Sequence, residues 1–206
     1  MKPSRILFIT GTDTGVGKSV FAALATILLR QRGRRVVALK PLCSGGRDDA
    51  RLLRAAAGNV LSLDEVNPWH FRAALAPLLA ARREKKKVRL REVVAHIRRV
   101  AKGFEAVIVE GAGGLLSPLG EDFDSRDLIQ ALGATPIIVG SNRLGAVNQV
   151  LLVLEALPRA TARRVRVVLM NPAKPDAASR SNLGLLKEFV EPKRLLVLPW
   201  LGKRPR

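Results

Sequence analysis

The chain has 206 residues, of which 48% are hydrophobic, with 17 glycines and 12 prolines. This length and composition fit one globular domain and disfavour a disordered chain or a fibrous repeat. No apolar run approaches the roughly 20 residues that a membrane-spanning helix needs, and no signal-peptide core follows the N-terminus, so we expect a cytoplasmic protein. Cys43 is the only cysteine, which excludes an internal disulfide and a multi-cysteine metal cluster.

The charge balance is strongly basic, because 36 basic and 17 acidic residues give a formal net charge of +19. Such an excess attracts polyanions and is compatible with a surface for nucleic acid or for an anionic membrane. Many basic residues fall in short helical stretches such as 82–87 and 98–102, without the interleaved aromatic residues of a single-strand binder. Solvated helix faces are therefore favoured, with no specific nucleic acid and no membrane as partners, and a nucleic-acid site stays open as the alternative.

Short apolar runs alternate with longer stretches of helical periodicity along the chain. The pattern predicts an α/β fold, doubly wound, with a mostly parallel sheet and helices on both faces, in a single domain over residues 1–206. Strands are predicted at residues 5–10, 36–39, 106–109, 135–139, 166–169 and 195–198. Helices are predicted at residues 18–31, 48–57, 71–83, 90–101, 125–132, 146–156 and 179–189. Ligands of such sheets bind beyond the carboxyl ends of the strands, so we expect the chemistry in the loops there.

The first of these loops carries a phosphate-binding motif. It reads Gly11-Thr12-Asp13-Thr14-Gly15-Val16-Gly17-Lys18-Ser19 and matches G-x-x-x-x-G-K-[ST] between a predicted strand and a predicted helix. The glycines let backbone N–H groups curl around phosphate oxygens, and the helix N-terminus adds the positive end of its dipole. Lys18 is expected to reach the outer phosphates and Ser19 to ligate magnesium. The motif predicts a bound magnesium nucleoside triphosphate.

The loop after the second predicted strand holds Lys40, Ser44, Asp48 and Asp49. A lysine just past a strand is most often a solvated edge residue, and adjacent aspartates serve well at a helix N-terminus, so this loop alone is only suggestive. Glu110 follows the third predicted strand, where a carboxylate can meet the magnesium that Ser19 would hold. The sequence thus offers an ammonium and carboxylates beside the phosphate loop.

A fourth loop, residues 140–148, ends a strand and opens a helix whose first N–H groups suit an anion. Ordinary strand-to-helix turn chemistry explains the same residues equally well. The residues Trp69, His70 and His96 have no catalytic partner visible in the sequence. Trp69 and His70 are expected to line or support a substrate channel, and His96 is expected on a helix surface.

Together these loops resemble those of the dethiobiotin synthetase family, which catalyses the ATP-dependent ring closure late in biotin synthesis. The resemblance is carried by Gly11-Thr12-Asp13-Thr14 with Val16-Gly17-Lys18-Ser19, Lys40-Pro41 with Ser44-Gly45, Val66-Asn67-Pro68, Glu110-Gly111-Ala112-Gly113-Gly114, Leu144-Gly145 with Asn148, and Pro199-Trp200-Leu201. Related ATPases that partition chromosomes or plasmids carry an additional lysine near the start of the phosphate loop. This chain has Thr12 there, which disfavours a partition function.

The resemblance implies that 7,8-diaminononanoate takes up carbon dioxide on one amine and that ATP phosphorylates the resulting carbamate. The neighbouring amine then closes a cyclic urea, which gives dethiobiotin, ADP and phosphate without a protein nucleophile. Phosphoryl transfer depends mainly on positioning and charge neutralisation, so cations should dominate the site. Lys18 and Lys40 are the implied catalytic residues, Lys18 at the γ-phosphoryl group and Lys40 between the carbamate and phosphate oxygens.

The resemblance also implies which residues bind each ligand. Magnesium is assigned to Ser19, Asp49 and Glu110, with Asp49 preferred over Asp48 because it begins an Asp-Ala-x-x-Leu pattern and leaves Asp48 as a helix cap. ATP is assigned to Thr12, Asp13, Thr14, Gly15, Val16, Gly17, Lys18, Ser19, Asp49, Glu110, Gly111, Ala112, Gly113, Asn171 and Pro199. Substrate is assigned to Thr14, Lys40, Ser44, Leu144, Gly145, Ala146 and Asn148, and the helix opening at Leu144, Gly145 and Ala146 is to receive the substrate carboxylate across a two-fold interface. A homodimer is therefore implied.

Two other classes of function are compatible with parts of the sequence. A nucleotide-dependent switch would bind DNA or a membrane through the basic surface, and its binding would weaken steeply as salt rises. An amide-forming ligase of related fold would be expected to carry a glutamine-hydrolysing domain, which a 206-residue chain with one cysteine disfavours. The phosphate-loop and Glu110 segments favour the synthetase.

Overall fold

The computed structural model describes residues 4–202. Its main strands are β1 (Arg5–Gly11), β2 (Val36–Leu39), β5 (Ala106–Gly114), β6 (Thr135–Ser141), β7 (Arg166–Met170) and β8 (Leu195–Leu198). They form one parallel sheet in the order β2-β5-β1-β6-β7-β8. A second parallel pair joins β3 (Leu42–Ser44) to β4 (Trp69–Phe71). The predicted α/β fold with a parallel sheet is confirmed.

Helices connect the strands. They are α1 (Lys18–Gln31), α2 (Asp48–Ala56), α3 (Leu63–Val66), α4 (Pro77–Arg83), α5 (Leu90–Ala101), α6 (Ser125–Leu132), α7 (Ala146–Glu155), α8 (Arg159–Ala162) and α9 (Ala177–Leu186). The predicted bounds of α1, α5 and α6 are confirmed. Within residues 4–202, no helix has both the length and the apolar character to cross a membrane.

The sheet is covered on both faces, because successive side chains of a strand point to opposite sides. Phe8 and Val109 pack into a cluster that also takes in residues of α4 to α7. Their neighbours Ile9 and Ile108 pack into a second cluster with residues of α1 and α2. All four side chains are fully buried. This layering brings the carboxyl ends of the strands, and the loops that follow them, to one edge.

The predicted helix over residues 71–83 is wrong in its first half. Phe71 ends β4, and its carbonyl accepts a hydrogen bond of 2.9 Å from the Gly45 N–H. The helix begins at Pro77, which suits a first helical position because no intrahelical partner is needed for its nitrogen. The sequence also missed β3, β4, α3 and α8, since elements of three or four residues carry no measurable periodicity.

Several boundaries differ from prediction for local reasons. Helix α9 begins two residues early because the Asp176 side chain accepts a hydrogen bond from Ser179 N at 2.7 Å and caps it. Strand β5 continues through residues 110–114, which the sequence assigned to a loop. Glu110 therefore lies in the ladder opposite Ile9, and its backbone position is fixed by the sheet.

The burial of the core predicts that two leucines contribute very differently to the free energy of unfolding. Leu128 on α6 is 1% exposed, whereas Leu116 is 52% exposed. We expect Leu128→Ala to lower the free energy of unfolding by about 2–5 kcal/mol and Leu116→Ala to change it by less than about 0.5 kcal/mol. Urea unfolding followed by circular dichroism measures both. Equal losses in the two variants would contradict the burial described here.

Candidate active site

The phosphate loop connects the end of β1 to the start of α1. Gly17 occupies the N-cap position of α1 with φ of 97°, in the left-handed region that favours glycine. A Cβ on Gly11 would lie 2.9 Å from Lys18 Nζ and 2.7 Å from the Asp13 carbonyl oxygen. The loop thus has room for the lysine only with glycine at position 11. The first turn of α1 presents its N–H groups to an anion at this point.

Lys18 folds back over the loop that precedes it. Its Nζ donates a hydrogen bond of 2.7 Å to the Asp13 carbonyl oxygen. Burial is the main cause that lowers the pKa of Lys18 from 10.5 to about 8, and the positive charge of Lys40 adds to it. The ammonium of Lys18 is therefore short of negative charge, and an anionic ligand would stabilise it.

Lys40 follows β2 and is held by carboxylates. Its Nζ donates to Glu110 Oε1 at 2.6 Å and to the Gly111 carbonyl oxygen at 3.0 Å. Asp49 Oδ2 lies 3.5 Å from the same nitrogen. Burial disfavours the charged form of Lys40, but the charges of Glu110 and Asp49 outweigh it and raise the pKa of Lys40 above 10.5. Lys40 is thus an ammonium that stays protonated at neutral pH.

Glu110 is the point at which these groups meet. Its Oε1 also accepts a hydrogen bond of 2.8 Å from Ser19 Oγ. Its Oε2 is buried and has no hydrogen-bond partner in residues 4–202. An unpaired buried carboxylate oxygen is costly, and a hard cation would satisfy it.

The donor set fits magnesium. Ser19, Asp49 and Glu110 offer one hydroxyl and two carboxylates, all oxygen ligands. Within the described residues, no three His, Cys, Asp or Glu side chains come close enough to hold a metal by themselves. Magnesium suits such a sparse set, because it is usually held by one or two carboxylates together with phosphates and waters.

A cleft of about 680 Å³ opens in front of these groups. Of the predicted site residues, it is lined by Thr14, Gly15, Gly17, Lys18, Ser19, Lys40, Ser44, Asp49, Glu110, Ala112 and Gly113. The Ser44 hydroxyl is buried without a hydrogen-bond partner in the described part of the chain. The structure therefore brings all predicted metal ligands and both predicted catalytic lysines into one space.

Part of the cleft wall was missed by the sequence. Leu52, Leu75 and Pro77 add apolar side chains to the lining of the cleft, and Cys43 and Ser117 also line it. Leu75 was not recognised as a cleft residue, because the sequence pattern placed it inside the predicted helix over residues 71–83. Cys43 lies between Lys40 and Ser44 in the chain, and its position between two predicted site residues could have indicated that it lines the cleft. The Ser117 hydroxyl accepts a hydrogen bond of 2.9 Å from Gly114 N and so supports the glycine segment.

Other predicted residues lie outside this cleft, which does not include Thr12, Asp13, Val16, Gly111, Asn171, Pro199, Leu144, Gly145, Ala146 or Asn148. Asp13 Oδ1 instead accepts a hydrogen bond of 2.6 Å from Thr14 N. Leu144 lies just before α7 and is 79% exposed. Asn148 lines a separate groove, which Phe189 also lines.

Asn171 and the segment before Pro199 come together although they are far apart in sequence. Strands β7 and β8 are paired with Met170 opposite Leu198, and Asn171 N donates to the Leu198 carbonyl oxygen at 2.9 Å. The Asn171 side chain is bonded to Asn142, whose Nδ2 donates to its Oδ1 at 2.7 Å. Asn171 is therefore fixed next to the Leu198–Pro199 segment, and the preceding Met170 lies against Gly17 of the phosphate loop.

Two predictions about single residues are wrong. His96 is buried and not on a helix surface. Its Nδ1 accepts a hydrogen bond of 3.0 Å from Arg99, so its Nε2 carries the proton and donates to the Glu65 carbonyl oxygen at 2.8 Å. Asp48 is not a cap, because it is the first residue within α2 and pairs with Arg51 at 2.9 Å. Buried helix contacts and local ion pairs decide these positions.

Comparison with known proteins shows the family. A family model described as an AAA domain matches residues 5–204. The chain is 40% identical over 201 residues to an ATP-dependent dethiobiotin synthetase of Anaeromyxobacter dehalogenans strain 2CP-C, covering 95% of this chain and 90% of the relative. It is 35% identical over 209 residues to that of Bacillus subtilis strain 168, with 98% and 87% covered.

Among solved structures, a ParA family ATPase from Chlorobium tepidum TLS aligns with a TM-score of 0.57. Sequence identity is 15%, and the alignment covers 96% of this chain and 85% of that one, so it shows a shared fold alone. The two synthetase relatives, in contrast, match nearly the whole chain at 35–40% identity. The chain therefore belongs to the AAA domain family and, more narrowly, to the family of ATP-dependent dethiobiotin synthetases.

Proposed function

We propose that this chain forms dethiobiotin from 7,8-diaminononanoate, carbon dioxide and ATP, in the cytoplasm, where ATP is supplied. Membership of the family supports the activity. The observation that carries it is the convergence of Lys18 and Lys40 with Ser19, Asp49 and Glu110 on one cleft beside the phosphate loop. Two ammonium groups and a hard-cation site can stabilise the charge on the oxygens during transfer of a phosphoryl group to a carbamate.

The proposed reaction has three steps. One amine of the substrate adds to carbon dioxide and loses a proton, which gives a carbamate. A carbamate oxygen takes the γ-phosphoryl group, and ADP leaves. The second amine attacks the carbamoyl carbon and loses a proton to the released phosphate or to water, phosphate leaves with the bonding electron pair, and the five-membered urea ring closes. Negative charge on oxygen moves in each step, so the protein contributes position and positive charge.

Lys40 is the proposed catalytic cation on the carbamate side. Its raised pKa keeps it charged, and the carboxylates that raise it also hold its Nζ in place in the cleft. Lys18 is the proposed cation at the outer phosphates, because it extends from the first turn of α1 and lines the same cleft. Both should act mainly by stabilising charge that develops during transfer.

Magnesium is proposed to bind to Ser19, Asp49 and Glu110, where it would neutralise charge on the nucleotide phosphates. The methylene chain of the substrate is proposed to contact Leu52 and Leu75, which are apolar residues of the cleft lining. Ser44 is proposed to bind the nitrogen end, since its buried hydroxyl has no partner in residues 4–202. Thr14 is proposed to contact the nucleotide phosphate and the substrate.

The remaining contacts are proposed at the edges of the site. Asn171 and Pro199 would hold the adenine, because the β7–β8 pairing brings them together and Met170, which precedes Asn171, lies against Gly17 of the phosphate loop. The N-terminus of α7, at Leu144 to Ala146 with Asn148, would bind the carboxylate of a substrate molecule that lies in the cleft of a second copy of the chain. That role needs a homodimer, since these residues lie outside the cleft of their own chain.

The experiment that tests the function is phosphate release from magnesium ATP with bicarbonate, with and without diaminononanoate. We expect release only with the diamine, and one dethiobiotin per phosphate by mass spectrometry. A parallel reaction receives DNA in place of the diamine. ATP hydrolysis without the diamine, or only with DNA, would reject the synthetase proposal in favour of a nucleotide switch.

The two adjacent aspartates offer a matched pair of variants. Asp49 Oδ2 lies 3.5 Å from Lys40 Nζ, whereas Asp48 is bonded to Arg51 on the exposed side of α2. We expect Asp49→Asn to lower kcat and to raise the magnesium concentration for half-maximal rate by about 10-fold or more, because a first ligand is weakened. Asp48→Asn should stay within about 2-fold of wild type. The reverse ranking would move the metal site to Asp48.

The pKa of Lys18 predicts how ATP binding depends on pH. Below about pH 8 Lys18 is charged in the free protein, and above it the ammonium is lost, so affinity should fall by up to about 10-fold per pH unit. Bound phosphates raise the pKa again, so binding near pH 8.5 should take up a proton. Calorimetry in two buffers of different ionisation enthalpy measures both effects. In Lys18→Arg, which does not titrate there, the pH dependence should vanish. A wild-type affinity that is flat from about pH 7.5 to 9.5 would contradict the assignment.

A further inference from the structure

The backbone at Lys40 is bonded on both sides to one segment, residues 66–69. The Lys40 N–H donates to the Val66 carbonyl oxygen at 3.0 Å, and the Trp69 N–H donates to the Pro41 carbonyl oxygen at 3.1 Å. Between them, Asn67 Nδ2 donates to the Lys40 carbonyl oxygen at 2.8 Å and to that of Pro41 at 3.3 Å. Asn67 is 1% exposed. The peptide that bears the catalytic ammonium is therefore fastened by a buried amide.

The other end of that amide binds Arg47. Arg47 Nε donates to Asn67 Oδ1 at 3.1 Å, and its Nη2 donates to the Asn67 carbonyl oxygen at 2.9 Å. The same Nη2 reaches the Leu63 carbonyl oxygen at 3.0 Å and Asp64 Oδ1 at 2.8 Å. A guanidinium offers only donors, so Asn67 must point its oxygen at Arg47 and its nitrogen at Lys40. One orientation of the amide satisfies both neighbours.

Arg47 is also the N-cap residue of α2, two positions before Asp49. The backbone of Lys40 and the start of α2 are thus joined through one asparagine side chain. On the cleft side of this connection, Lys40 Nζ and Asp49 Oδ2 lie 3.5 Å apart. We propose that Asn67 and Arg47 are positioning residues that set the spacing between the Lys40 ammonium and the Asp49 carboxylate. This inference rests on the proposed function of those two groups.

The physical reason is the steep dependence of catalysis on position, since a displacement of about 1 Å can cost about 100-fold in rate. Neither Asn67 nor Arg47 lines the cleft. Their effect must therefore pass through Lys40 and Asp49. A merely structural role would lower stability without acting selectively on either group.

The first test uses Asn67→Ala with and without Lys40→Met. We expect Asn67→Ala alone to lower kcat by about 10- to 100-fold, with the KM for ATP changed by less than about 3-fold because the phosphate loop is untouched. In the Lys40→Met background the same substitution should change the single-turnover rate by less than about 2-fold, since the group it positions is gone. An unchanged kcat, or full losses that multiply in the double variant, would overturn the role of Asn67.

The second test compares Arg47→Met with Arg194→Met. Arg194 also fastens backbone, donating to the Val165 and Ala162 carbonyl oxygens at 2.8 and 2.6 Å, but it does not line the cleft. Both variants should lower Tm. Only Arg47→Met should raise the magnesium concentration for half-maximal ATP binding, by about 10-fold, because the start of α2, which carries Asp49, loses its attachment to residues 63–67. In the Asp49→Asn background, Arg47→Met should raise this magnesium concentration no further. Equal magnesium dependence in the two arginine variants would overturn the proposal.

The two proposals fail in different ways. A wild-type protein that makes no dethiobiotin from the diamine would reject the proposed function. Magnesium-dependent ATP binding would still report on Arg47 and Asp49 in that case. Dethiobiotin formation with no selective effect of Asn67 or Arg47 would leave the function in place and reject the positioning role.

Discussion

The buried ion pair between Lys40 and Glu110 is the interaction on which the cleft depends. Taking two charges out of water costs several kcal/mol for each ion, and attraction repays this only with close geometry and further hydrogen bonds. Both are present, because the two atoms lie 2.6 Å apart and Glu110 Oε1 also accepts from Ser19. The pair joins the end of β2, the middle of β5 and the start of α1. It therefore fixes the three elements around which the nucleotide site is built.

The pKa values of the two lysines of the cleft are shifted in opposite directions by their surroundings. Lys40 has carboxylates in contact, so its pKa is raised despite complete burial. Lys18 is lowered in pKa mainly by burial, and the positive charge of Lys40 adds to this effect. An arriving phosphate is stabilised most where positive charge is least compensated, which is at Lys18. This difference agrees with the proposed roles, with Lys18 at the nucleotide phosphates and Lys40 at the carbamate.

The large positive charge lies mostly away from this cleft, which balances Lys18 and Lys40 against Asp49 and Glu110. Basic side chains on α4, α5 and their connection are largely exposed, and some form ion pairs such as Arg82 with Glu121 at 2.7 Å. Exposed pairs of this kind contribute little to stability. Their positions agree with the interpretation as solvated faces, and the DNA arm of the phosphate-release experiment tests the alternative.

The sequence by itself determined the parallel α/β fold and the phosphate loop with Lys18 and Ser19, because periodicity and motif spacing are local properties. Lys40 and Asp49 were singled out only through the family resemblance. The sequence did not find the β3–β4 pair, because the conformation of those two short strands comes from pairing with residues 27 positions away. It also did not find Leu75 in the cleft lining. His96 looked like a surface residue and is buried because α5 packs over Glu65. Tertiary structure alone decided that Glu110 meets Ser19 and Lys40, and that Asn67 joins Lys40 to Arg47. Those contacts span 20 to 91 residues of chain, and only the order of the strands brings their ends to one edge.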